Sequence, residues 1–362
     1  MPVRVAINGF GRIGRALYRA WFQRHLSAYS GVEIVAVNDV ESPEQLAYLL
    51  QHDSVYRRFL PHIKYEEQHQ QLRVAQYCLP ITCHRDIPAE HWAQLGVDWV
   101  VDASGAYRAQ DRMRLHVASG AKRVLITAPT EAADVTVVAG VNDDQFQNQT
   151  YVSAASCTTQ AMAAVLQPLL SDRSLSESLS GIESGVESGV EIESVMMTEI
   201  HASTLDQPVL DTVHQNPVRG RAGAFNMVPT LTTGDRAIGQ VLPELAGKVK
   251  GYSMRVPVPN GACLDLTIAL SKPVTEEHIK ALFQSAAEQP NAILGVTEHP
   301  FVSSDVTESN LSAVIDLNHV RVNGRQLQLL AWYDNEWGYV SRVLDFLKAQ
   351  VVPDPTIEQR PI

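Results

Sequence analysis

The stretch that decides the fold class lies at residues 3–14 and reads VRVAINGFGRIG. Its apolar start, Val3–Asn8, predicts a buried β-strand, and the residues that follow predict a helix. Between them stand Gly9, Gly11 and Gly14 in the pattern G-x-G-x-x-G. In this context the first glycine permits a tight turn, the second lets a pyrophosphate approach the backbone, and the third lets the helix pack closely on the strand. We therefore predict a dinucleotide-binding loop whose helix N-terminus faces phosphates.

The rest of the chain falls into two patterns. The first 130 residues alternate strands and helices, with further strands predicted at Glu33–Asn38, Asp98–Ala103 and Lys122–Thr127 and a helix start at Ser42. This alternation predicts an α/β fold with a Rossmann-type, doubly wound parallel sheet. After residue 157 come longer β-rich runs, which predict an α+β domain with a mainly antiparallel sheet: Val195–Ile200, Gly251–Val258, Leu264–Leu270 and Gln326–Trp332.

We expect a dinucleotide-binding domain at residues 1–156, completed by a C-terminal helix within 335–362, and a catalytic domain at 157–334. A low-complexity insertion near 172–194 interrupts the second domain, where residues 181–192 read GIESGVESGVEI. Such a short acidic repeat predicts an exposed excursion. A partner-binding role is the alternative interpretation.

Composition excludes several classes of function. The formal net charge of −11 argues against sequence-independent nucleic-acid binding, which needs a basic surface. No apolar stretch is long enough to span a bilayer, so no membrane partner is expected. Four cysteines in 362 residues do not form a disulfide framework, and a reduced, cytoplasmic protein is the simplest expectation. The spacing of Cys78, Cys83 and His84 does not predict a metal site.

Three further positions, Asp39, Cys157 and His201, carry chemistry. Asp39 ends the second strand, where a carboxylate can bind both ribose hydroxyls and repel a 2′-phosphate, so NAD is favoured over NADP. Cys157 joins a strand to an apolar helical run, and a helix N-terminus stabilises a thiolate. His201 ends the strand Val195–Ile200 and can act as the base that accepts the proton of the Cys157 thiol. The alternative is a buried, inert thiol.

Over nearly its whole length the chain resembles the glyceraldehyde-3-phosphate dehydrogenase family, including the related erythrose-4-phosphate dehydrogenases. The resemblance rests on INGFGRIGR at 7–15, ASCTT at 155–159, the histidine strand, MRVPVPN at 254–260 and WYDNEWGY at 332–339. It implies a Rossmann domain, a catalytic α+β domain and a homotetramer.

The resemblance also implies a reaction. Cys157 attacks a phosphorylated aldehyde to give a hemithioacetal, and His201 lowers the pKa of the thiol and accepts the hydroxyl proton as hydride leaves for NAD. Inorganic phosphate then cleaves the thioester. Thr204 and Arg255 are expected to bind the substrate phosphate, and Ser156, Thr158 and Thr232 to surround the attacking phosphate. The implied cofactor contacts, besides the three glycines and Asp39, are Arg12, Ile13, Arg85, Ser104, Thr127, Asn335 and Tyr339.

The chain departs from the family pattern at several positions near the nucleophile and the substrate. Ala154, Gln160 and Ala161 replace the family's usual residues around Cys157. Asp206 places a carboxylate two residues after Thr204, which predicts weaker binding of the substrate phosphate unless Arg219 or Arg221 pairs with it.

The most favoured function is oxidation of glyceraldehyde 3-phosphate to 1,3-bisphosphoglycerate. The alternatives are oxidation of erythrose 4-phosphate to 4-phosphoerythronate, an oxidation ended by water, and an NAD-binding regulatory or scaffold protein.

Overall fold

The structure, a computed structural model, describes residues 2–106, 108–171 and 190–351. The chain divides into two compact units. The first contains residues 1–139, 143–155 and 340–362, and the second contains 140–142 and 156–339. The first unit thus passes into the second between residues 155 and 156, whereas the expected boundary lies between 156 and 157. Residues 140–142 belong to the second unit, where the carbonyl of Val141 accepts a hydrogen bond from Gln167 at 3.3 Å.

The first unit is built on a nine-stranded sheet with the order β10-β11-β9-β8-β1-β2-β7-β6-β5. Its strands are β1 Val3–Asn8, β2 Val32–Asn38, β5 Ile63–Glu66, β6 Gln71–Val74, β7 Tyr77–Thr82, β8 Trp99–Asp102, β9 Arg123–Ile126, β10 Val135–Thr136 and β11 Tyr151–Ser153; the short strands β3 His52–Asp53 and β4 Arg57–Arg58 pair with each other. From β7 to β10 every pairing is parallel. The strand order reverses between β1 and β8, where a ligand crevice opens in doubly wound sheets. The predicted parallel sheet is confirmed, and β5 and β6 extend it as an antiparallel edge.

Four helices of the first unit connect these strands: Arg12–Arg24, Pro43–Gln51, His91–Gln94 and Gln110–Ala118. Ser42 caps the second of them as predicted, because its Oγ accepts from the N–H of Gln45 at 3.3 Å. One core cluster under the sheet includes Trp92 and Val100, both fully buried. Apolar burial of this kind stabilises the unit, at ~25 cal/mol per Å².

The second unit carries an eight-stranded sheet with the order β13-β14-β12-β15-β19-β17-β16, and β18 pairs with β19. Its strands are β12 Ile192–Ala202, β13 Val228–Thr230, β14 Val249–Val256, β15 Ala262–Leu270, β16 Leu294–Thr297, β17 Ala313–Asp316, β18 Arg321–Asn323 and β19 Gln326–Tyr333. Two of its pairings, β12 with β14 and β16 with β17, are parallel, and the others are antiparallel. The helices Cys157–Ser171, Gly234–Val241 and Glu276–Ala287 belong to this unit, and a last helix spans Trp337–Ala349. The mainly antiparallel sheet is confirmed.

The low-complexity insertion expected near 172–194 lies outside the described residues up to 189. Of the residues that follow, Glu191 is exposed, whereas Val190 and Ile192 are buried, because Ile192 begins β12 and pairs with Leu270. The last helix spans Trp337–Ala349, within the range 335–362 expected for it, and residues 352–362 lie outside the described part of the chain. Within the described residues, no helix has both the length and the apolar character that crossing a membrane requires.

Candidate active site

In the glycine loop of the first unit, backbone contacts leave no room for a side chain at Gly9 and Gly14. Gly9 has φ +92°, and a Cβ there would lie 2.4 Å from the backbone nitrogen of Ser104. A Cβ on Gly14 would lie 2.1 Å from the carbonyl oxygen of Gly9, whereas one on Gly11 would meet no atom within 4 Å. The first and third glycines are therefore required by the fold. The second leaves the backbone open to a large ligand, as a pyrophosphate requires.

The carboxyl edge of the parallel strands brings most of the expected cofactor residues together. Asp39 follows β2 and accepts hydrogen bonds from the N–H groups of Phe10 at 2.5 Å and Glu41 at 3.0 Å. Thr127 follows β9, and its hydroxyl donates to the carbonyl of Asp102 at 2.9 Å. The residues at this edge fit a dinucleotide, because Asp39 is tied to the glycine loop and keeps further lone pairs for ribose hydroxyls.

The other expected cofactor residues of this unit lie around the same loop. Ser104 is exposed after β8, and its hydroxyl donates to Asp102 at 2.9 Å. Arg12 and Ile13 are half-buried in the first helical turn, and Arg85 is exposed beyond β7. The guanidinium of Arg12 already pairs with Asp53 at 2.8 Å, so it is held in place by the protein itself.

In the second unit the expected nucleophile opens a helix. Cys157 is the first residue of Cys157–Ser171, and Ser156 caps this helix because its Oγ accepts from the N–H of Thr159 at 3.1 Å. Ala155, just before the cap, has φ +59°. A non-glycine residue in this region costs about 1–3 kcal/mol, a strain typical of functional turns.

The expected base stands next to the nucleophile. Nε2 of His201 lies 3.6 Å from Sγ of Cys157, and the histidine is 2% exposed. Its other nitrogen, Nδ1, lies 2.7 Å from the carbonyl oxygen of Ala202 and 2.5 Å from Nη1 of Arg255. The carbonyl only accepts and the guanidinium only donates, so a neutral ring satisfies one of them at a time. When Nδ1 donates to Ala202, Nε2 is free to take the thiol proton.

The ionisation of this pair differs from the expectation. Burial, and next the negative charge of Glu199, raise the pKa of the Cys157 thiol to about 12. Burial, and next the Arg255 guanidinium, lower the pKa of His201 to about 4, against the opposing effect of Glu199. Both directions run against the lowered thiol pKa that the resemblance implies, and both favour a thiol beside a neutral imidazole.

Two buried residues beside the Cys157–His201 pair, Glu199 and Tyr333, were not singled out from the sequence. Glu199 is 2% exposed, and its Oε1 lies 3.9 Å from Nε2 of His201. The buried hydroxyl of Tyr333 donates to the same oxygen at 3.3 Å. The sequence indicates Glu199 through its position two residues before His201, because residues two apart on a strand share a face. A carboxylate on a buried face needs partners.

The hydroxyls expected around the attacking phosphate lie close to this carboxylate. Thr158 is buried and donates to Oε1 of Glu199 at 2.5 Å, and its Oγ1 lies 3.9 Å from Sγ of Cys157. Thr232 is half-buried, accepts from the N–H of Gly234 at 3.1 Å and also hydrogen-bonds Glu199. Ser156 is half-buried and engaged with Thr159.

The residues expected at the substrate phosphate form a second group. The hydroxyl of Thr204 donates to Asp206, and Asp206 in turn pairs with Arg219, while Arg221 pairs with Asp211. Asp206 therefore pairs with an arginine, which is the condition under which no weaker binding of the substrate phosphate is expected. In the neighbourhood of Thr204, Nε of Arg255 and Nε2 of Gln207 are buried donors for which the described residues offer no hydrogen-bond partner.

Asn335 and Tyr339 are the expected cofactor residues of the second unit. The side-chain oxygen of Asn335 accepts from the N–H of Gly261 at 2.9 Å, which fixes the amide and leaves its NH₂ to donate. Gly261 makes this possible with φ +89° and a Cβ position only 2.7 Å from the carbonyl oxygen of Ser303. Tyr339 is buried.

Away from these sites, the rings of His84 and His91 lie in contact, with their centroids 5.1 Å apart. Cys78 and Cys83 are exposed free thiols. In the described ranges, no group of three or more His, Cys, Asp or Glu side chains is placed to hold a metal ion.

Comparison with known proteins identifies the family. A model of the glyceraldehyde 3-phosphate dehydrogenase NAD binding domain matches residues 3–110, and one of the C-terminal domain of the same enzyme matches residues 176–335. A glyceraldehyde-3-phosphate dehydrogenase of Mycobacterium leprae is 40% identical over 350 residues, which cover 96% of this chain and 98% of that protein. Those of Mycobacterium avium and Xanthobacter flavus are 41% and 40% identical, over 96% and 95% of this chain and 98% and 97% of their own lengths. This chain therefore belongs to the glyceraldehyde-3-phosphate dehydrogenase family.

Proposed function

We propose that this protein catalyses the NAD-dependent, phosphorylating oxidation of glyceraldehyde 3-phosphate to 1,3-bisphosphoglycerate through a thioester on Cys157. The observation that carries the proposal is the 3.6 Å distance between Sγ of Cys157 and Nε2 of His201 at the start of a helix. Relatives named glyceraldehyde-3-phosphate dehydrogenase, about 40% identical over most of the chain, support it.

The catalytic pair has the groups that the reaction needs. The sulfur of Cys157 bonds to the aldehyde carbon while its proton passes to Nε2 of His201 and from there to the aldehyde oxygen, which becomes the hemithioacetal hydroxyl. Nε2 of His201 then takes back the hydroxyl proton as the thioester forms, and bound NAD would supply the hydride acceptor for this oxidation. A phosphate oxygen then bonds to the carbonyl carbon, the C–S bond breaks, and the sulfur recovers a proton from His201.

The cofactor is NAD, and the first unit has the residues to hold it. Gly11 offers open backbone for the pyrophosphate and Asp39 offers a carboxylate for the ribose. In the second unit, the amide of Asn335 is oriented by Gly261 and can hold the carboxamide of the nicotinamide. We assign Arg12, Ile13, Arg85, Ser104, Thr127 and Tyr339 to the remaining cofactor contacts.

The substrate phosphate is assigned to Arg255 and Thr204. The unpartnered buried Nε of Arg255 supports this assignment, because a buried guanidinium N–H needs an acceptor and a phosphate supplies one. Ser156, Thr158 and Thr232 are assigned to the inorganic phosphate that attacks the thioester.

We further propose a homotetramer and a cytoplasmic location. Several large apolar side chains in the segment 205–231 are exposed, which supports burial against another copy: Leu205, Val209, Leu210, Val213, Phe225, Met227 and Leu231. Sedimentation of the purified protein measures the assembly.

The function is tested by following NADH production by the purified protein with each aldehyde phosphate, with and without inorganic phosphate. Phosphate-dependent NADH from glyceraldehyde 3-phosphate is expected. A clear preference for erythrose 4-phosphate would transfer the proposal to that substrate, and NAD binding without any turnover would favour the scaffold alternative.

A further inference from the structure

A buried carboxylate lies one hydrogen bond away from the nucleophile. Oε1 of Glu199 accepts from Thr158 at 2.5 Å, and Oγ1 of Thr158 lies 3.9 Å from Sγ of Cys157. The same carboxylate oxygen lies 3.9 Å from Nε2 of His201. Because Glu199 is only 2% exposed, water and salt screen its charge poorly. An acyl group bonded to the sulfur therefore forms close to a fixed negative charge.

The surroundings of Glu199 keep it ionised. Burial acts to raise its pKa, but the charge that His201 carries when protonated, the Arg255 guanidinium and the hydroxyls of Thr158 and Thr232 together hold the pKa below its usual value. The hydroxyl of Tyr333 adds a further hydrogen bond at 3.3 Å. These are the partners that a buried carboxylate needs in order to remain charged.

The carboxylate also competes for the hydroxyls assigned to the attacking phosphate. A threonine hydroxyl has one proton to donate, and the protons of Thr158 and Thr232 are directed to Glu199. A phosphate that binds there must take these hydrogen bonds away from the Glu199 carboxylate. It also brings its own negative charge close to that carboxylate, which repels it. A water molecule carries no charge and is not repelled.

We propose that Glu199 sets the acyl-acceptor preference of the Cys157 thioester, weakening the binding of inorganic phosphate and leaving water as a competing acceptor. The inference rests on the proposed function, because it concerns the second half of that reaction. In the hydrolytic branch the water oxygen bonds to the thioester carbon and the C–S bond breaks. One water proton passes to Nε2 of His201 and from there to the sulfur, so the products are a free acid and the thiol, with no change of oxidation state.

The test is the dependence of NADH production from glyceraldehyde 3-phosphate on the inorganic phosphate concentration. Glu199→Gln, which removes the charge and keeps the shape, is expected to lower the KM for phosphate about tenfold or more. The KM for the aldehyde phosphate is expected to change less than about twofold, and the rate without phosphate to fall. Glu199→Asp keeps the charge and is expected to retain a KM for phosphate within about threefold of the parent.

A matched control lies on the same strand. Glu193 is exposed and pairs with Arg325 at 3.1 Å, so Glu193→Gln removes one negative charge from β12 away from the thiol. It is expected to leave the KM for phosphate unchanged. The proposal is overturned if Glu199→Gln keeps the parent value, or if the Gln and Asp variants lower it equally.

A measurement on the parent protein keeps the proposal testable if the variants do not fold. With inorganic phosphate added, water and phosphate compete for the thioester, and phosphorus NMR early in the reaction separates the free acid from the acyl phosphate. Predominant free acid among the early products supports the role of Glu199, and predominant acyl phosphate overturns it. Absence of NADH with every aldehyde phosphate and every acceptor overturns the proposed function itself, and this inference with it.

Discussion

The glycine loop and the catalytic centre are built in opposite ways. In the loop, the backbone and the absence of side chains determine the shape. A Cβ added to Gly9 or to Gly14 would lie within 2.4 Å of another backbone atom. In the centre, a thiol, an imidazole, a guanidinium and a carboxylate meet from a helix and two strands. The first site depends on local chain geometry, and the second depends on long-range contacts and charge.

The largest expected effect is at the nucleophile. Cys157→Ser is expected to lower oxidation by about 10³-fold or more, because an alcohol is a far weaker nucleophile than a thiol, while NAD binding changes less than about twofold. Steady-state rates and a calorimetric titration with NAD measure the two effects. Cys78→Ser, a change at an exposed thiol, is the control and is expected to keep full activity. An active Cys157→Ser variant would refute the mechanism.

Alanine substitutions at Gly14 and Gly11 of the glycine loop are expected to affect stability and NAD binding differently. Gly14→Ala is expected to lower the free energy of unfolding by about 2–4 kcal/mol, because its Cβ meets the Gly9 carbonyl. Gly11→Ala has open space and is expected to cost less than about 1 kcal/mol, yet to weaken NAD binding about tenfold or more. Denaturant titration and NAD titration separate these outcomes. Equal stability of the two variants would contradict the assigned roles.

The charge environment of the thiol predicts a pH dependence. A thiol whose pKa is raised to about 12 is protonated at neutral pH, and its thiolate fraction increases with pH up to that value. Alkylation of Cys157 by iodoacetamide in the NAD-free protein is therefore expected to accelerate about tenfold per pH unit from pH 7 to 10. Mass spectrometry of the Cys157 peptide measures the rate. A plateau near neutral pH would show a thiolate–imidazolium pair instead.

Asp39 tests whether the strand edge selects the cofactor. Asp39→Asn removes the charge that repels a 2′-phosphate, and the preference for NAD over NADP is expected to fall about tenfold to a hundredfold. The ratio of kcat/KM for the two cofactors is the measurement. An unchanged ratio would mean that the carboxylate serves only the N–H groups of Phe10 and Glu41.

The smallest effect is expected at Asp206, whose charge Arg219 already balances. Asp206→Asn is expected to change the KM for glyceraldehyde 3-phosphate by less than about threefold, and Arg219→Gln to raise it by about tenfold. The double variant is expected to return toward the parent value, since the two charges interact. Simple additivity of the two single effects would show that they act separately.

Much of the fold could be predicted from the sequence. The strand Val3–Asn8 was predicted to the residue, because a strand, a glycine turn and a helix follow each other within a short span. The edge strands β5 and β6 were not predicted, because their polar composition lacks a clear apolar alternation. Their pairing with β7 becomes visible only in the folded chain.

The pairing of Cys157 with His201 was expected from the resemblance to the family, whereas Glu199 was not singled out. The proximity of Glu199 to Cys157 requires β12 to lie beside the start of the helix Cys157–Ser171, which no local pattern specifies. The pKa of the thiol depends on the same proximity and on burial, so no local pattern specifies its direction either. The pairing of Asp206 with Arg219 was foreseen only as one of two possibilities.

The discontinuous first unit has a consequence for synthesis on the ribosome. Its core includes Phe346, whose ring lies 5.4 Å from that of Trp99 and 5.1 Å from that of Phe146. The second unit, residues 156–339, is translated between these partners. At about 5–20 residues per second, the nascent first unit waits about 10–40 s for its last aromatic ring. During that interval Trp99 and Phe146 lack one of their apolar neighbours, and this nascent surface is where a chaperone would bind.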